Sequence, residues 1–492
     1  MSSARLYAQQ EVTHVLQLLS LSLTTSVRLL PVVSAADGRV SPRENLSDYR
    51  MASPAPFASR TRRHACPRKP PHRLRKPPQP TRSFLLLNLV RDAESPKIMS
   101  APVELHPTSI RRTVETLVHS FAASVVERDE RGGTPKKERD ALRKSGLLTL
   151  SIPTQYGGLG ASWIETLDTV REFARIDSSI AHVYGFHHLL LATVRLFARP
   201  DQWEPWFTQT ARHEWFWGNA LNPLDTRTIV RKFDNWYDFS GKKSFCSGAL
   251  DSEMLIASGF EETSGKLLIA AIPSSRTGIT LHHDWNSFGQ RQTDSGSALF
   301  EKVRVEESEL LLDPGPLSTP FASLRPLLAQ LIFAHLFQGI GEGVFAEIKH
   351  YTVHETRPWF SSPASHANKD QHVLRHYGEF WVELEGARLL LQHATRLFDE
   401  AWARGEALNA EARGHVAIAI ATAKIAATRS GLDLSSQLFD VAGARATHGA
   451  LRLDRFWRNL RTQTLHDPID YKLQEIGEWA LNDELPTPSF YS

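Results

Sequence analysis

WYDFSGKKSF at residues 236–245, MLIASGF at 254–260, KLLIAAIP at 266–273, TGITLHH at 277–283 and ALFEKVRV at 298–305 decide the architecture. Each is a short run rich in aromatic and β-branched residues and bounded by turn formers, the pattern of strands rather than helices. Together they predict a β domain over 216–322, set inside a chain that reads as helical on both sides. Upstream, Ile110, Val114, Leu117, Val118, Phe121 and Val125 recur at three- and four-residue steps, which predicts an amphipathic helix over 109–126. Thr134 followed by Pro135 predicts a helix start and Gly146 its end, and 162–173 and 181–197 predict two more helices. Downstream, the 3.6-residue period returns in 324–355, 371–403, 408–438 and 469–481, with connections short enough for an antiparallel bundle. The expected fold is α+β, with a helical domain at 99–215, the β domain, and a helical bundle at 323–492.

Composition narrows the class. The chain has 492 residues, of which 41% are apolar, enough for two or three packed layers around a core. Two cysteines far apart, Cys66 and Cys246, offer neither a disulfide framework nor a CxxC pair, which fits a thiol-reducing compartment such as the cytoplasm. Residues 12–33, the most apolar stretch near the start, are interrupted by His14, Gln17 and Arg28, so no membrane span is expected there. The net charge of +3 conceals a split: about 16 basic and 6 acidic residues precede Met99, and about 41 and 48 follow. The run SPAPFASRTRRHACPRKPPHRLRKPPQPT at 53–81 is dense in Pro and Arg and lacks any period, so 1–98 is expected to be a disordered basic extension. An organelle leader, a basic arm for nucleic acid, or sequence upstream of a true start at Met99 would each look like this; the last is favoured, and no nucleic-acid partner is expected.

Several short motifs follow one another in the remaining four fifths: SSIAHVYGFHH at 178–188, GNAL at 218–221, FCSGA at 245–249, DWNSFGQRQTDSGS at 284–297, RPW at 357–359, GARATH at 443–448 and FWRNLRTQTLHDP at 456–468. In this order they resemble the acyl-CoA dehydrogenase superfamily, and within it the flavin-dependent monooxygenase branch of the dibenzothiophene monooxygenase type. The resemblance implies an N-terminal helical domain, a β-barrel-like middle domain, a C-terminal four-helix bundle, and a homotetramer.

It also implies a site. Asn219, Phe245 and Ser247 match positions at the flavin, where the ring's polar edge must find hydrogen-bond partners. Asn219 and Ser247 would otherwise simply close turns at strand ends. Trp285 and the run 291–297 resemble the segment framing the site; Ser295 in particular would meet flavin or serve an ordinary β-turn. Arg357 and Arg445 match arginines that reach the flavin phosphate, often from a neighbouring subunit, a task suited to a planar guanidinium. Tyr184, His188, Phe245, Trp285 and Gln463 are candidates for the substrate pocket. His182, His187 and His188 lack an acidic or cysteine companion, so no metal site is expected.

The last motif separates two chemistries. Where related dehydrogenases place a catalytic glutamate followed by glycine, this chain reads Leu465-His466-Asp467-Pro468. Asp467 is one methylene shorter, and the proline constrains it, which ill suits removal of an α-proton. His466 matches a histidine aimed at the flavin, beside which the resemblance places a C4a-hydroperoxide. Catalysis is therefore assigned to His466, Ser247 and Asn219. A second histidine of the related enzymes is replaced by Gln463, which hydrogen-bonds but does not titrate.

The implied function is a two-component monooxygenase that takes reduced FMN from a separate NAD(P)H-dependent flavin reductase, captures O2 and oxygenates a small apolar organosulfur compound of the sulfide or thiophene type. No GxGxxG stands at a strand-to-helix junction to bind NAD(P)H in the same chain. The rival readings are an FAD-dependent acyl-CoA dehydrogenase using Asp467 or another carboxylate as base, and a catalytically silent flavin-fold binding protein.

Overall fold

The computed structural model describes residues 107–492. The extension 1–98, with the Pro/Arg run 53–81, lies outside the described residues.

Six helices open the described chain: α1 (Pro107–Ala122), α2 (Val125–Arg131), α3 (Lys136–Lys144), α4 (Trp163–Ala174), α5 (Ser178–Phe197) and α6 (Pro200–His213). The single helix expected over 109–126 is broken at Ser124, whose amide bonds back to the Phe121 carbonyl before α2 begins. Pro135 rather than Thr134 occupies the cap of α3, and Gly146 follows that helix with φ +77°. Local chemistry sets the next two starts. Ser162 and Glu165 form a reciprocal capping box on α4, and the Asp177 carboxylate accepts from the Ser179 and Ile180 amides at the head of α5. Helix α6 was not among the expected elements; Pro200 begins it, where a missing N–H costs nothing.

The middle region is one curled seven-stranded sheet of β1 (Trp217–Ala220), β2 (Ile229–Lys232), β3 (Trp236–Lys243), β4 (Met254–Glu261), β5 (Leu267–Pro273), β6 (Ile279–Leu281) and β7 (Ala298–Glu306). Strands β1 and β2 lie end to end along one edge of β4, both parallel to it, while β5 runs antiparallel on the other edge. Strands β3, β7 and β6 continue the sheet antiparallel from β2. After β7 the chain returns to β5, where Leu310 bridges Ala270 and the Leu311 amide bonds to Ile269 at 2.9 Å, so the sheet bends toward closure. The strand expected over WYDFSGKKSF at 236–245 is corrected at its end: β3 stops at Lys243, and 244–248 form a turn in which Phe245 adopts φ +60°.

Five helices follow, not four: α7 (Leu324–His354), α8 (Gln371–Arg404), α9 (Ala410–Ala442), α10 (Asp454–Thr464) and α11 (Ile469–Asn482). The additional one, α10, carries most of the FWRNLRTQT motif. Helix α7 is apolar on nearly every side, and 94% of its most apolar window is buried, so it serves as a core helix. It packs against α8 and α9 on one side and α4 and α5 on the other, and Gly339 and Gly343 let the end of α4 approach it. A β-carbon on Gly343 would stand 2.1 Å from the Arg175 carbonyl oxygen. The helical regions thus share one apolar core, and the sheet has its own, built on Val230, Phe239, Leu255, Ile272 and Phe300.

Buried ion pairs tie the helices to the sheet's loops. Arg128 of α2 meets Asp177 and Glu138 and donates to Gln292 at 3.1 Å. Asp129 accepts from Arg452 and Arg458, linking α2 to α10. Gln290 is a second junction: its amide donates to Asn459 of α10 at 2.7 Å, and its side-chain Nε2 donates to Ser178 of α5 at 3.2 Å. These contacts bring the sheet's rim, the head of α5 and the end of α10 together.

Candidate active site

At the rim of the sheet, three hydroxyls form a chain. Ser247 Oγ lies 2.7 Å from Ser295 Oγ, Ser295 Oγ lies 2.7 Å from Thr293 Oγ1, and Thr293 donates to the Gln290 carbonyl at 3.0 Å. A carbonyl only accepts, so the direction of every proton follows: Thr293 gives to Gln290, Ser295 to Thr293, and Ser247 to Ser295. Ser247 is left with free lone pairs, an acceptor for an N–H from a bound group. Asn219 stands beside it; its Nδ2 makes only a 3.5 Å contact with the Phe245 carbonyl, while its Oδ1 accepts from the Leu221 amide. Phe245 is 59% exposed, unusual for a phenylalanine, and meets Trp285 edge-on with ring centres 6.1 Å apart. Trp285 is fixed by its Nε1 donating to the Gln290 carbonyl at 2.8 Å. Positive φ values at Phe245, Gln290 and Asp294 mark this rim as held under local backbone strain, as is common around binding sites.

A histidine group is built on α5, α7 and the residues that follow α10. His182, on α5, is buried and stacked on Phe186 with centres 4.2 Å apart; its Nδ1 accepts from Gln463 Nε2 at 3.2 Å. Burial, aided by the nearby His466, pushes the His182 imidazole down to about 3, so it is neutral at physiological pH. His466 follows α10 with its ring 4.7 Å from Phe333 of α7, and its side chain is 38% exposed. Its Nδ1 lies 3.3 Å from Asp467 Oδ1, and the same carboxylate oxygen accepts from Lys424 of α9 at 2.5 Å. Burial alone would raise the Asp467 carboxyl, but the hydrogen bond from His466 and the Lys424 ammonium outweigh it and hold it well below the usual carboxylate range. An ionised Asp467 fixes the Nδ1–H tautomer of His466 and leaves Nε2 free to exchange a proton with a ligand.

The structure therefore brings Asn219, Phe245, Ser247, Trp285 and Ser295 to one rim, and Gln463 and His466 to a second group around His182 and Phe333. Two pocket candidates fall elsewhere. Tyr184 and His188 are sealed on the other face of α5; the Tyr184 hydroxyl donates to the Leu147 carbonyl at 3.3 Å, His188 Nδ1 meets Ser151 Oγ at 2.7 Å, and the rings pack edge to face. They are corrected to core residues; His182 and Phe186, one helical turn apart on α5, are the ones that meet Gln463 and Phe333. His187 is likewise structural: Nε2 bonds the Leu148 carbonyl, and Nδ1 accepts from the Trp217 amide. Among the described residues no group of three or more His, Cys, Asp or Glu could hold a metal. Cys246 is buried, which pushes its thiol up to about 12 and keeps it protonated.

Arg357 and Arg445 both stand near the far end of α7, where Arg445 donates to the Glu355 carbonyl at 2.7 Å; both are exposed. From Phe333 to the end of α7 is about 30 Å along the helix axis, so these arginines stand well away from the His466 of their own chain. A polar cavity of about 310 Å³ opens beside Trp285, lined by Arg131, Gly132, His283, Asp284 and Arg291 among others. Arg291 is already committed there, donating to the Asp129, Glu130 and Ser287 carbonyls.

Helices flanking a curled sheet, with a hydroxyl-lined rim at the head of α5 and a histidine at the end of α10, define an acyl-CoA dehydrogenase-type flavoprotein, and the chain belongs to this family. The acyl-CoA dehydrogenase N-terminal domain matches residues 106–214 and the acyl-CoA dehydrogenase C-terminal domain residues 331–471. The chain is 68% identical to a probable FMNH2-dependent monooxygenase, SfnC, of Pseudomonas putida, over 80% of this chain and 100% of that protein. It is 70% identical to methanesulfinate monooxygenase MsuC of Pseudomonas fluorescens, whose structure matches with a TM-score of 0.77 over 77% of this chain and 99% of that one. FMN-bound TdsC from Paenibacillus sp. A11-2 matches at 40% identity and a TM-score of 0.75, over 78% of this chain and 100% of that one. These relatives place the chain among the FMNH2-dependent monooxygenases of the family.

The residues present fit a flavin. The ring demands an aromatic surface and hydrogen-bond partners for its N–H and carbonyl groups, and the rim offers exposed Phe245 with Trp285, the Asn219 amide and the acceptor Ser247. Reduction adds an N–H to the ring at N5, which suits an acceptor. Ser247→Ala is expected to weaken reduced-FMN binding about tenfold in an anaerobic titration, the loss of one well-formed hydrogen bond. An unchanged affinity would show that Ser247 spends its lone pairs elsewhere.

Proposed function

We propose that this chain oxygenates the sulfur of a small organosulfur compound, using reduced FMN delivered by a separate NAD(P)H-dependent reductase. Bound reduced FMN would supply two electrons and activate O2, so that one oxygen atom goes to sulfur and the other leaves as water. The protein's part is to hold the ring with Asn219, Phe245 and Ser247, to present His466 Nε2 for proton exchange, and to keep water away with the apolar walls of Phe186 and Phe333. A sulfur lone pair is itself the nucleophile, so no substrate base is needed.

The state of Asp467 carries this reading. In a dehydrogenase the carboxylate at this place must accept a proton; here Lys424 and His466 consume it and stabilise its ionised form. The test is aerobic turnover of the full chain with enzymatically reduced FMN. Organosulfur-dependent O2 uptake with an oxygenated product supports the proposal, whereas bound FAD bleached by an acyl thioester would replace it with the dehydrogenase.

The positions of Arg357 and Arg445 support assembly into a homotetramer, since they lie too far from their own chain's site to serve it and would serve a neighbour's. Exposed apolar residues along the bundle, Trp359, Phe360, Trp381, Val382 and Leu389, would be covered by such an assembly. Light scattering on the purified chain is expected to give four copies; a monomer would remove both arginines from flavin binding.

A further inference from the structure

The chain after α11 returns across the bundle. Leu485 packs against Gly414, and Arg413 donates to the Ser492 carbonyl at 2.5 Å and to Ser323 Oγ at 3.1 Å. This return sets the Tyr491 ring 5.8 Å from that of His466. Tyr491 is partly buried, yet its hydroxyl donates to nothing among the described residues.

Within electrostatic reach of Tyr491, in the first turn of α7, stands Arg325. It is 7% exposed. Among the described residues its one side-chain hydrogen bond is a 3.4 Å contact from Nε to Thr193 Oγ1; neither Nη nitrogen has a partner, and no carboxylate forms an ion pair with it. Arg413, also buried without an ion pair among the described residues, still gives its guanidinium to the Ser323 and Ser492 oxygens, and other buried arginines meet carboxylates. Arg128 meets Asp177 and Glu138, Arg139 meets Asp251, and Arg455 meets Glu347. Burying a guanidinium without an anion is costly, and here burial pushes its pKa down to about 10, only partly opposed by Tyr491. Thr193 shares a stripe of α5 with His182 and Phe186, at steps of four and seven residues, so Arg325 borders the helical face that meets Gln463 and Phe333.

We propose that Arg325 and Tyr491 form a subsite for the anionic head of the substrate, a sulfinate, whose two oxygens take the guanidinium and the phenol hydroxyl while its sulfur is held toward His466. This rests on the monooxygenase reading and narrows its substrate from neutral sulfides to organosulfur anions. A neutral thiophene would leave the Arg325 charge buried and unpaired. A sulfinate matches it in charge and in its pair of acceptor oxygens, and still carries the sulfur lone pair that accepts oxygen.

The test compares methanesulfinate with benzothiophene on the full chain supplied with reduced FMN, alongside calorimetric binding of methanesulfinate to the FMN-loaded protein. Arg325→Met is expected to weaken methanesulfinate binding about tenfold or more and to lower the ratio of kcat/KM for methanesulfinate over benzothiophene by a similar factor. Arg325→Lys, which keeps the charge, should recover part of the loss. Tyr491→Phe, which removes one hydroxyl and no bulk, should shift the same ratio by about threefold to tenfold. Equal losses on both substrates, or an unchanged affinity for methanesulfinate, would overturn the subsite. A wild type that oxygenates benzothiophene but not methanesulfinate would also overturn it and leave the monooxygenase standing. No product from either would remove the monooxygenase reading and the subsite with it.

Discussion

Replacing His466 by alanine is expected to cut oxygenated product about a hundredfold while reduced FMN goes on being oxidised and H2O2 accumulates. Asp467, kept ionised by Lys424, holds His466 Nδ1–H, so Nε2 is the atom left to exchange a proton with a bound ligand. Removing the imidazole removes that exchange without touching the rim where Asn219, Phe245 and Ser247 would hold the ring. Flavin oxidation and product formation should therefore part company, and the ratio of product to O2 consumed is the quantity to follow. His466→Gln, which hydrogen-bonds but does not titrate, should recover little of that ratio; full recovery would mean that shape rather than proton exchange is what His466 provides.

The second large effect concerns Lys424. Its ammonium is buried with Asp467 and Gln330, so Lys424→Met leaves a buried carboxylate short of its main counter-charge and is expected to cost about 3–5 kcal/mol in chemical denaturation. The pH dependence has a definite sign. Because the folded carboxyl titrates below its unfolded value, the pair contributes fully above the unfolded value of about 4 and loses its contribution as pH falls through the folded one. The gap between wild type and variant should thus be steady from about pH 5 to 8 and narrow in stronger acid. Adding Asp467→Asn to Lys424→Met should restore part of the lost stability, since the stranded charge is then gone; strict additivity would show that the two side chains do not interact.

The sequence is legible where its periods are strong and where polar residues punctuate them. The strands around WYDFSGKKSF and MLIASGF, the capping Ser162, and the motif residues Asn219, Ser247 and His466 all stand at places where local chemistry speaks. What it conceals is phase. Helix α5 is buried around almost its whole circumference, so its apolar pattern does not say which side faces the site; the readable choice of Tyr184 and His188 went to the core, while His182 and Phe186 face Gln463 and Phe333. A weaker signal did exist for the charged groups of the interior. Lys424 is the lone charge in the apolar stretch 416–427, and Arg325 stands at the head of the apolar run 324–337. A cation that an apolar helix carries into the core is a cation with a task. The additional helix α10 escaped because its strongly charged face outweighs the few apolar residues by which a helix is usually read.

Labelled oxygen follows the transferred atom itself: the full chain, reduced FMN and an organosulfur substrate are mixed under 18O2, and the product is weighed by mass spectrometry. The expected result is a gain of one oxygen atom, carrying the label, per product molecule, with the other atom appearing in water. Product whose added oxygen comes from solvent water, or O2 that is consumed only to H2O2 with the organosulfur compound unchanged, would contradict it.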